Sequence, residues 1–375
     1  MKITYISEYF PYTGEGDITG GVEARCFNVA KRLSTKHDIT VITSWKTGQK
    51  RRHNIGKINI LRVGQHHNYT NEGNFVSRLK FSIAAYKTAK KLKANIVEGY
   101  NFISYLPAYY AGKKINAKKI ATYHEVWQGE WIKNKGLVGL LGELWEKWIL
   151  SLKWDKIISV SKFTANKLIQ NNIPRNKISV IYNGINLKDY ISEEKKYRNP
   201  TIISISRLTP KKRVDDLIKA VYLVKKQIPN IKLIIIGKGN ELNNLQKLVS
   251  KYRLKENIHF TGYVENYEEV IKMLKKSHIL CLPSVLEGFG IVLAEAMAAQ
   301  TPYICSDIKV LKEVSQNQKG GLIFKQKNYK DLTNKILFLL KNKKLYLQKE
   351  KECKIASKKY DWNKITKDIL EVYNK

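Results

Sequence analysis

Acidic residues are scarce: the 375-residue chain has 32 Asp and Glu against 68 Lys and Arg, a formal net charge of +36. The excess is not a tail, because 34 of the basic and 15 of the acidic residues fall in residues 1–200. Nucleic-acid binders concentrate charge on one stripe with interleaved aromatics, so no specific nucleic-acid partner is expected. The charge suits anionic substrates and anionic membrane surfaces, or reflects a Lys-rich background composition. Cysteine is sparse too. Cys26, Cys281, Cys305 and Cys353 form no C-x-x-C pair and no metal-ligand spacing, which fits a reduced cytoplasmic interior.

Long apolar runs are missing. No stretch reaches the roughly 18 uncharged residues of a membrane-spanning helix, and the nearest, Leu137 to Leu152, carries Glu143, Glu146 and Lys147. The opening MKITYISEYF has no secretory-signal core. The expected location is cytoplasmic, with peripheral attachment to the inner face of the cell membrane. A hydrophobic content of 43% excludes a disordered chain.

Short β-branched runs alternate with helical patterns, the signature of parallel α/β sheets. Strands are expected at residues 3–7, 39–43, 58–63, 95–100, 120–124, 157–161 and 179–182. A second series follows at 201–206, 232–237, 258–262, 279–283, 303–306 and 321–324. The apolar pattern lapses between Asn186 and Pro200, which divides the chain into two doubly wound domains, 1–190 and 191–358. Residues 359–375 form a closing amphipathic helix on Trp362, Ile365, Ile369 and Val372.

The segment from Pro283 to Ala298, PSVLEGFGIVLAEAMA, carries the most chemistry. A buried strand enters a glycine-bearing loop, and a helix begins near Gly290. Such an N-terminus has unpaired N–H groups and partial positive charge, which suit a diphosphate. Glu287 lies in the loop, placed to accept from hydroxyls. Glu295 lies inside the helix among apolar neighbours, where a carboxylate needs a partner.

This segment resembles the E-x7-E motif of glycosyltransferase family 4, with Glu287 and Glu295 as its glutamates and E-G-F-G intact. The resemblance spans nearly the whole chain. Gly20-Gly21-Val22-Glu23 is similar to the family's glycine-rich loop, and His124 to its strand-end histidine. Ser161-Lys162, Asn183-Gly184-Ile185 and Ser206-Arg207-Leu208 with Lys212 match further elements. Ser206, Arg213 and Thr301 stand where the family often has glycine, which weakens any inference about the exact sugar. Gly237-Lys-Gly239 resembles the family's G-x-G turn, since Leu242 stands where a dinucleotide fingerprint needs its third glycine.

The resemblance implies a GT-B fold: two Rossmann-like domains around an interdomain cleft, with the final helix returning to the first. It implies a retaining hexosyltransferase that moves mannose, glucose or an N-acetylhexosamine from a nucleotide diphosphate-sugar. Arg207 and Lys212 would clamp the diphosphate, and Glu287 would bind donor-sugar hydroxyls. Glu295 would bind the ribose, and Phe289, Gly290 and Ile291 would offer backbone N–H groups. Gly20 and Gly21 would admit the diphosphate, and His124 would hydrogen-bond the sugar near the reacting carbon. No catalytic base, cofactor or metal is implied, and no Asp-x-Asp pair occurs.

The acceptor is less legible. Leu137, Leu140, Leu141, Leu144, Trp145, Trp148, Ile149 and Leu152 form one helical apolar stripe, whose preferred reading is a helix packed on the first domain's sheet. Trp127, Trp131, Trp145 and Trp148, with a Lys-rich helix near Arg78–Lys93, keep open attachment to an anionic membrane. The acceptor would then be a lipid-linked glycan or glycolipid precursor in cell-envelope synthesis. Two alternatives are a nucleotide-sugar epimerase of the same fold and a basic binding module with an inactive site.

Overall fold

The computed structural model describes residues 1–18, 20–65, 75–132 and 136–375. It forms two compact units, one of Met1–Asn183 with Trp362–Lys375 and the other of Gly184–Asp361.

Among the described residues, the first unit holds strands β1 (Lys2–Ile6), β2 (Asp38–Ser44), β3 (Arg52–Ile55), β4 (Ile58–Val63), β5 (Ile96–Gly99), β6 (Lys118–Tyr123), β7 (Lys156–Ser159) and β8 (Ile178–Val180). They form one sheet in the order β3-β4-β2-β1-β5-β6-β7-β8. Only the β3–β4 pair is antiparallel. The second unit holds β9 (Thr201–Ile205), β10 (Lys232–Ile236), β11 (Ile258–Gly262), β12 (Ile279–Leu282), β13 (Tyr303–Ser306) and β14 (Gly321–Phe324). Its sheet runs β11-β10-β9-β12-β13-β14, all parallel.

The run ILCL lies fully buried in β12 and KLIII is half-buried or buried along β10, as expected where helices cover both faces of a parallel sheet. Each expected strand occurs within one or two residues. The strand not expected is β3, whose RHNI carries a single aliphatic residue and alternates exposed with half-buried positions. It is an edge strand, so little of it is buried and its pattern is weak.

In the first unit, Ile3, Tyr5, Val41 and Ile96 pack against Phe27 and Ala30 of the helix Gly21–Leu33 and against the final helix, Trp362–Asn374. Its stripe of Trp362, Ile365, Ile369 and Val372 is buried there. Lys118 Nζ donates to the carbonyls of Val372 and Tyr373 at 3.1 Å each, satisfying acceptors that a helix C-terminus leaves unpaired. The Tyr373 hydroxyl donates to the buried carboxylate of Glu98 and lies 3.1 Å from the Tyr5 hydroxyl. Glu98 also accepts from Thr122 Oγ1 at 2.5 Å. Burial holds the Glu98 carboxyl above the usual carboxylate range, against the pull of these hydrogen bonds.

One expectation is corrected. The stripe around Leu144 packs only in part: Ile149, with half-buried Trp145 and Leu152, joins the cluster of Ala121, Tyr123 and Ile157 from β6 and β7, whereas Leu137 is 91% exposed, Leu141 65%, Leu144 58% and Trp148 45%. Besides Ile149 and Leu150, the helix Gly139–Ser151 buries Gly139 and Glu146. A Cβ on Gly142 would lie 2.5 Å from the Trp131 ring, so the helix seats closely on that indole. Glu146 faces inward and accepts from the Trp127 backbone N–H at 3.0 Å and Trp131 Nε1 at 2.7 Å. A stripe sorted by hydrophobicity assigns the glycines and the glutamate to solvent. Close packing and hydrogen bonding put them inside.

Candidate functional site

In the second sheet the strand order reverses between β9 and β12, which are hydrogen-bonded neighbours with Ile203 beside Leu280. Ligands of open α/β sheets bind beyond the carboxyl ends of the strands at such a reversal. Arg207 follows β9 and Glu287 follows β12, so both predicted residues issue from this point.

The loop after β9 passes Arg207, which is exposed, and buried Leu208. It then makes a short turn, Pro210–Lys212. The turn of β10 lies against it: a Cβ on Gly237 would sit 1.9 Å from the Ser206 carbonyl oxygen, and one on Gly239 2.1 Å from that of Leu208. The close approach explains the G-x-G. The basic run at 211–213 is sorted by geometry. Arg213, with a left-handed φ of +51°, spends its guanidinium on Asp216 at 2.8 Å twice and on Asp215 at 3.1 Å. Those pairings offset the strain of a non-glycine residue there. Lys212 points the other way, its Nζ 2.6 Å from Glu287 Oε1, with side-chain exposures of 18% and 11%. The backbone N–H of Val285 donates to the Lys211 carbonyl at 2.9 Å, tying the two loops together.

Past Glu287, the Phe289 ring is buried edge-on against Tyr360 at 5.8 Å. Gly290 takes φ +80° and begins the helix Ile291–Ala298 with no side-chain cap. That conformation favours glycine. One turn into this helix, Glu295 Oε1 accepts from the Tyr267 hydroxyl at 2.5 Å, and the Tyr190 hydroxyl lies 3.4 Å from that of Tyr267. Burial pushes the Glu295 carboxyl up to about 7, against the pull of the Tyr267 hydrogen bond. Tyr267 and Tyr190 were not expected from the sequence. They lie 28 and 105 residues from Glu295, and no local spacing links them.

The remaining predicted residues lie in the first unit. Gly20 is extended, with φ −159°, and precedes the helix that Gly21 opens. No atom lies within 4 Å of a Cβ placed on Gly21, so nothing inside the unit requires glycine there. His124 follows β6, and its Nε2 is buried without a hydrogen-bond partner. Burial, then the charge of Arg25, holds its pKa down to about 3, so the ring is neutral. Arg25 was also missed. It is fully buried and donates to the Tyr182 carbonyl at 2.7 Å and to Asn183 Oδ1 at 2.9 Å. Ser161 accepts from the Thr164 N–H at 3.0 Å, capping the helix Lys162–Gln170. Among the described residues no helix is long and apolar enough to cross a membrane.

Comparison with known proteins places the whole chain. The model described as Glycosyltransferase Family 4 matches residues 19–189, and that described as Glycosyl transferases group 1 matches residues 188–360. An uncharacterized glycosyltransferase of Methanocaldococcus jannaschii is 29% identical over 100% of this chain and 98% of its own. From Campylobacter jejuni, N-acetylgalactosamine-N,N'-diacetylbacillosaminyl-diphospho-undecaprenol 4-alpha-N-acetylgalactosaminyltransferase is 28% identical over 60% of this chain and 62% of its own. The solved sucrose-phosphate synthase of Thermosynechococcus elongatus superposes with a TM-score of 0.84 at 19% identity, covering 100% of this chain and 98% of that one. With both halves matched in order, and with the fold of a GT-B transferase, the chain belongs to glycosyltransferase family 4.

Proposed function

We propose that the chain is a retaining hexosyltransferase that binds a nucleotide diphosphate-sugar on its second unit and glycosylates a lipid-linked acceptor at the cytoplasmic membrane face. The observation that carries this reading is the Lys212–Glu287 pair at the β9/β12 reversal, beside the uncapped helix start at Gly290. In this reading Arg207 and Lys212 hold the diphosphate, and the N–H groups of Phe289, Gly290 and Ile291 complete its cradle. Glu287 accepts from donor-sugar hydroxyls. Glu295 exchanges the Tyr267 hydroxyl for the ribose hydroxyls.

His124, neutral at working pH, hydrogen-bonds the donor sugar, and Gly20 and Gly21 leave room for the diphosphate. The bond from the anomeric carbon to the diphosphate oxygen breaks, and the acceptor oxygen bonds to that carbon on the same face. The acceptor's proton passes to the departing diphosphate. No side chain serves as base, and the rate comes from positioning and from stabilising the leaving group. The lipid-linked acceptor is supported by the C. jejuni relative, whose name specifies a diphospho-undecaprenol acceptor.

The test is thermal stabilisation by UDP, GDP, ADP and their sugars, repeated on Glu295→Ala. Binding to the native state alone raises stability by an amount set by ligand concentration over Kd. A selective shift that the variant loses supports the reading and names the base. No shift with any of them overturns it.

A further inference from the structure

Two neighbouring helices of the first unit turn large apolar side chains to solvent. On Phe75–Ala89, Phe75, Leu79 and Ile83 are exposed at steps of four, which places them in one row. On Gly139–Ser151, Leu140, Leu144 and Trp148 are exposed at the same steps. The rows meet through aromatics: the Phe75 ring lies 6.0 Å from Trp145, Trp145 lies 6.0 Å from Trp148, and Trp148 lies 6.2 Å from Tyr110. Apolar residues scattered singly over a surface need no explanation. A joined ridge of this kind marks an interaction site.

Charge identifies the occupant. The helix Phe75–Ala89 has no acidic residue. The two acids of Gly139–Ser151 are both hydrogen-bonded, Glu143 half-buried and Glu146 buried. Glu143 accepts from Gln128 Nε2 and the Gly129 N–H at 2.5 Å each, and Glu146 is buried against Trp127 and Trp131. Lys80, Lys87 and Lys147 on the same helices are exposed. Helices of 13 and 15 residues are about 20 Å long, too short to span a bilayer but suited to lying in its interface. Exposed Leu, Phe and Trp accompanied by exposed Lys, with Glu146 buried and Glu143 hydrogen-bonded, are complementary to an apolar layer under an anionic surface.

We propose that this ridge docks the first unit on a bilayer leaflet containing anionic lipid. Its apolar rows enter the headgroup boundary, and Lys80, Lys87 and Lys147 meet lipid phosphates. It rests on the proposed membrane-side acceptor for its purpose, and on the surface itself for its evidence.

The test is flotation of the full chain with vesicles of phosphatidylcholine containing roughly one-third phosphatidylglycerol, and with phosphatidylcholine alone. The chain is expected to float with the anionic vesicles. Partition should fall at 1 M salt, where the screening length is about 3 Å. Leu140→Glu/Leu144→Glu replaces two exposed residues of the ridge and is expected to lower partition at least about tenfold, at unchanged Tm. Leu347→Glu/Ile355→Glu, at exposed apolar positions of the second unit, is expected to float like the wild type. The proposal is overturned if the wild type stays at the bottom, if the first variant floats undiminished, or if both variants lose equally. It also fails if the wild type sediments as a dimer that the first variant dissociates and neither floats, since the ridge then meets a second copy. Flotation without any nucleotide-induced thermal shift would remove the transferase reading and leave the docking face standing.

Discussion

At the residue scale, Glu295 offers a pH-dependent test. Its carboxyl is raised from 4.5 to about 7 in the folded chain, so the protonated form is the better tolerated one. The linked stability is complete below the unfolded value and is lost as pH rises through about 7. Glu295→Gln lacks this titration. In the absence of nucleotide, the wild type should therefore lose about 1–2 kcal/mol relative to Glu295→Gln between pH 5 and pH 8, by denaturant unfolding. A difference constant across that range would show that the carboxyl is not raised. In the proposed donor site Lys212 lends its charge to the departing diphosphate, so Lys212→Ala is expected to lower kcat/KM roughly 100-fold or more in transfer assays. Lys211→Ala should change it little. The run K-K-R could not be sorted without Asp215, Asp216 and Glu287 in place around it.

At the element scale, strands and helices were legible wherever their burial is periodic. The exceptions are instructive. β3 was missed because an edge strand buries little. The helix Gly139–Ser151 was expected from its period, but its buried face was only partly assigned, with Ile149 inside and Leu140, Leu141 and Leu144 exposed. Glycines at 139 and 142 and a hydrogen-bonded Glu146 make the inner surface there. The final helix was expected from its stripe, whereas its anchor on Glu98 was not, because a carboxylate inside IVEG has no periodic signature. Tyr373→Phe removes the hydroxyl that Glu98 and Tyr5 share. It should cost about 1–3 kcal/mol of stability in chemical unfolding and increase hydrogen exchange across residues 362–374. Unchanged exchange there would mean that packing alone holds the helix.

At the scale of the whole molecule, the net charge of +36 predicts salt-sensitive adhesion to any polyanion. Binding to unrelated DNA and RNA oligonucleotides should weaken steeply with log salt and show no preference among sequences. A preferred sequence that persists at physiological salt would contradict the expectation of no specific nucleic-acid partner. The same charge is spread over both halves, so composition alone could not single out the proposed membrane face. That proposal needed the exposure of Leu144 and Trp148 and the burial of Glu146.

By itself the sequence determined the fold class and family, because these rest on local signals: apolar runs of strand length, a glycine-bearing loop before a helix, and E-x7-E spacing along one segment. It also nominated the glutamates and basic residues that are proposed for the donor site. Tertiary structure alone decided which cation each carboxylate meets, that Tyr267 holds Glu295, that Arg25 keeps company with His124, and which side of an apolar helix faces water. The physical reason is that pairing and burial depend on residues tens to hundreds of positions apart. Hydrophobic periodicity reports only that a helix has two faces, and the neighbours choose between them.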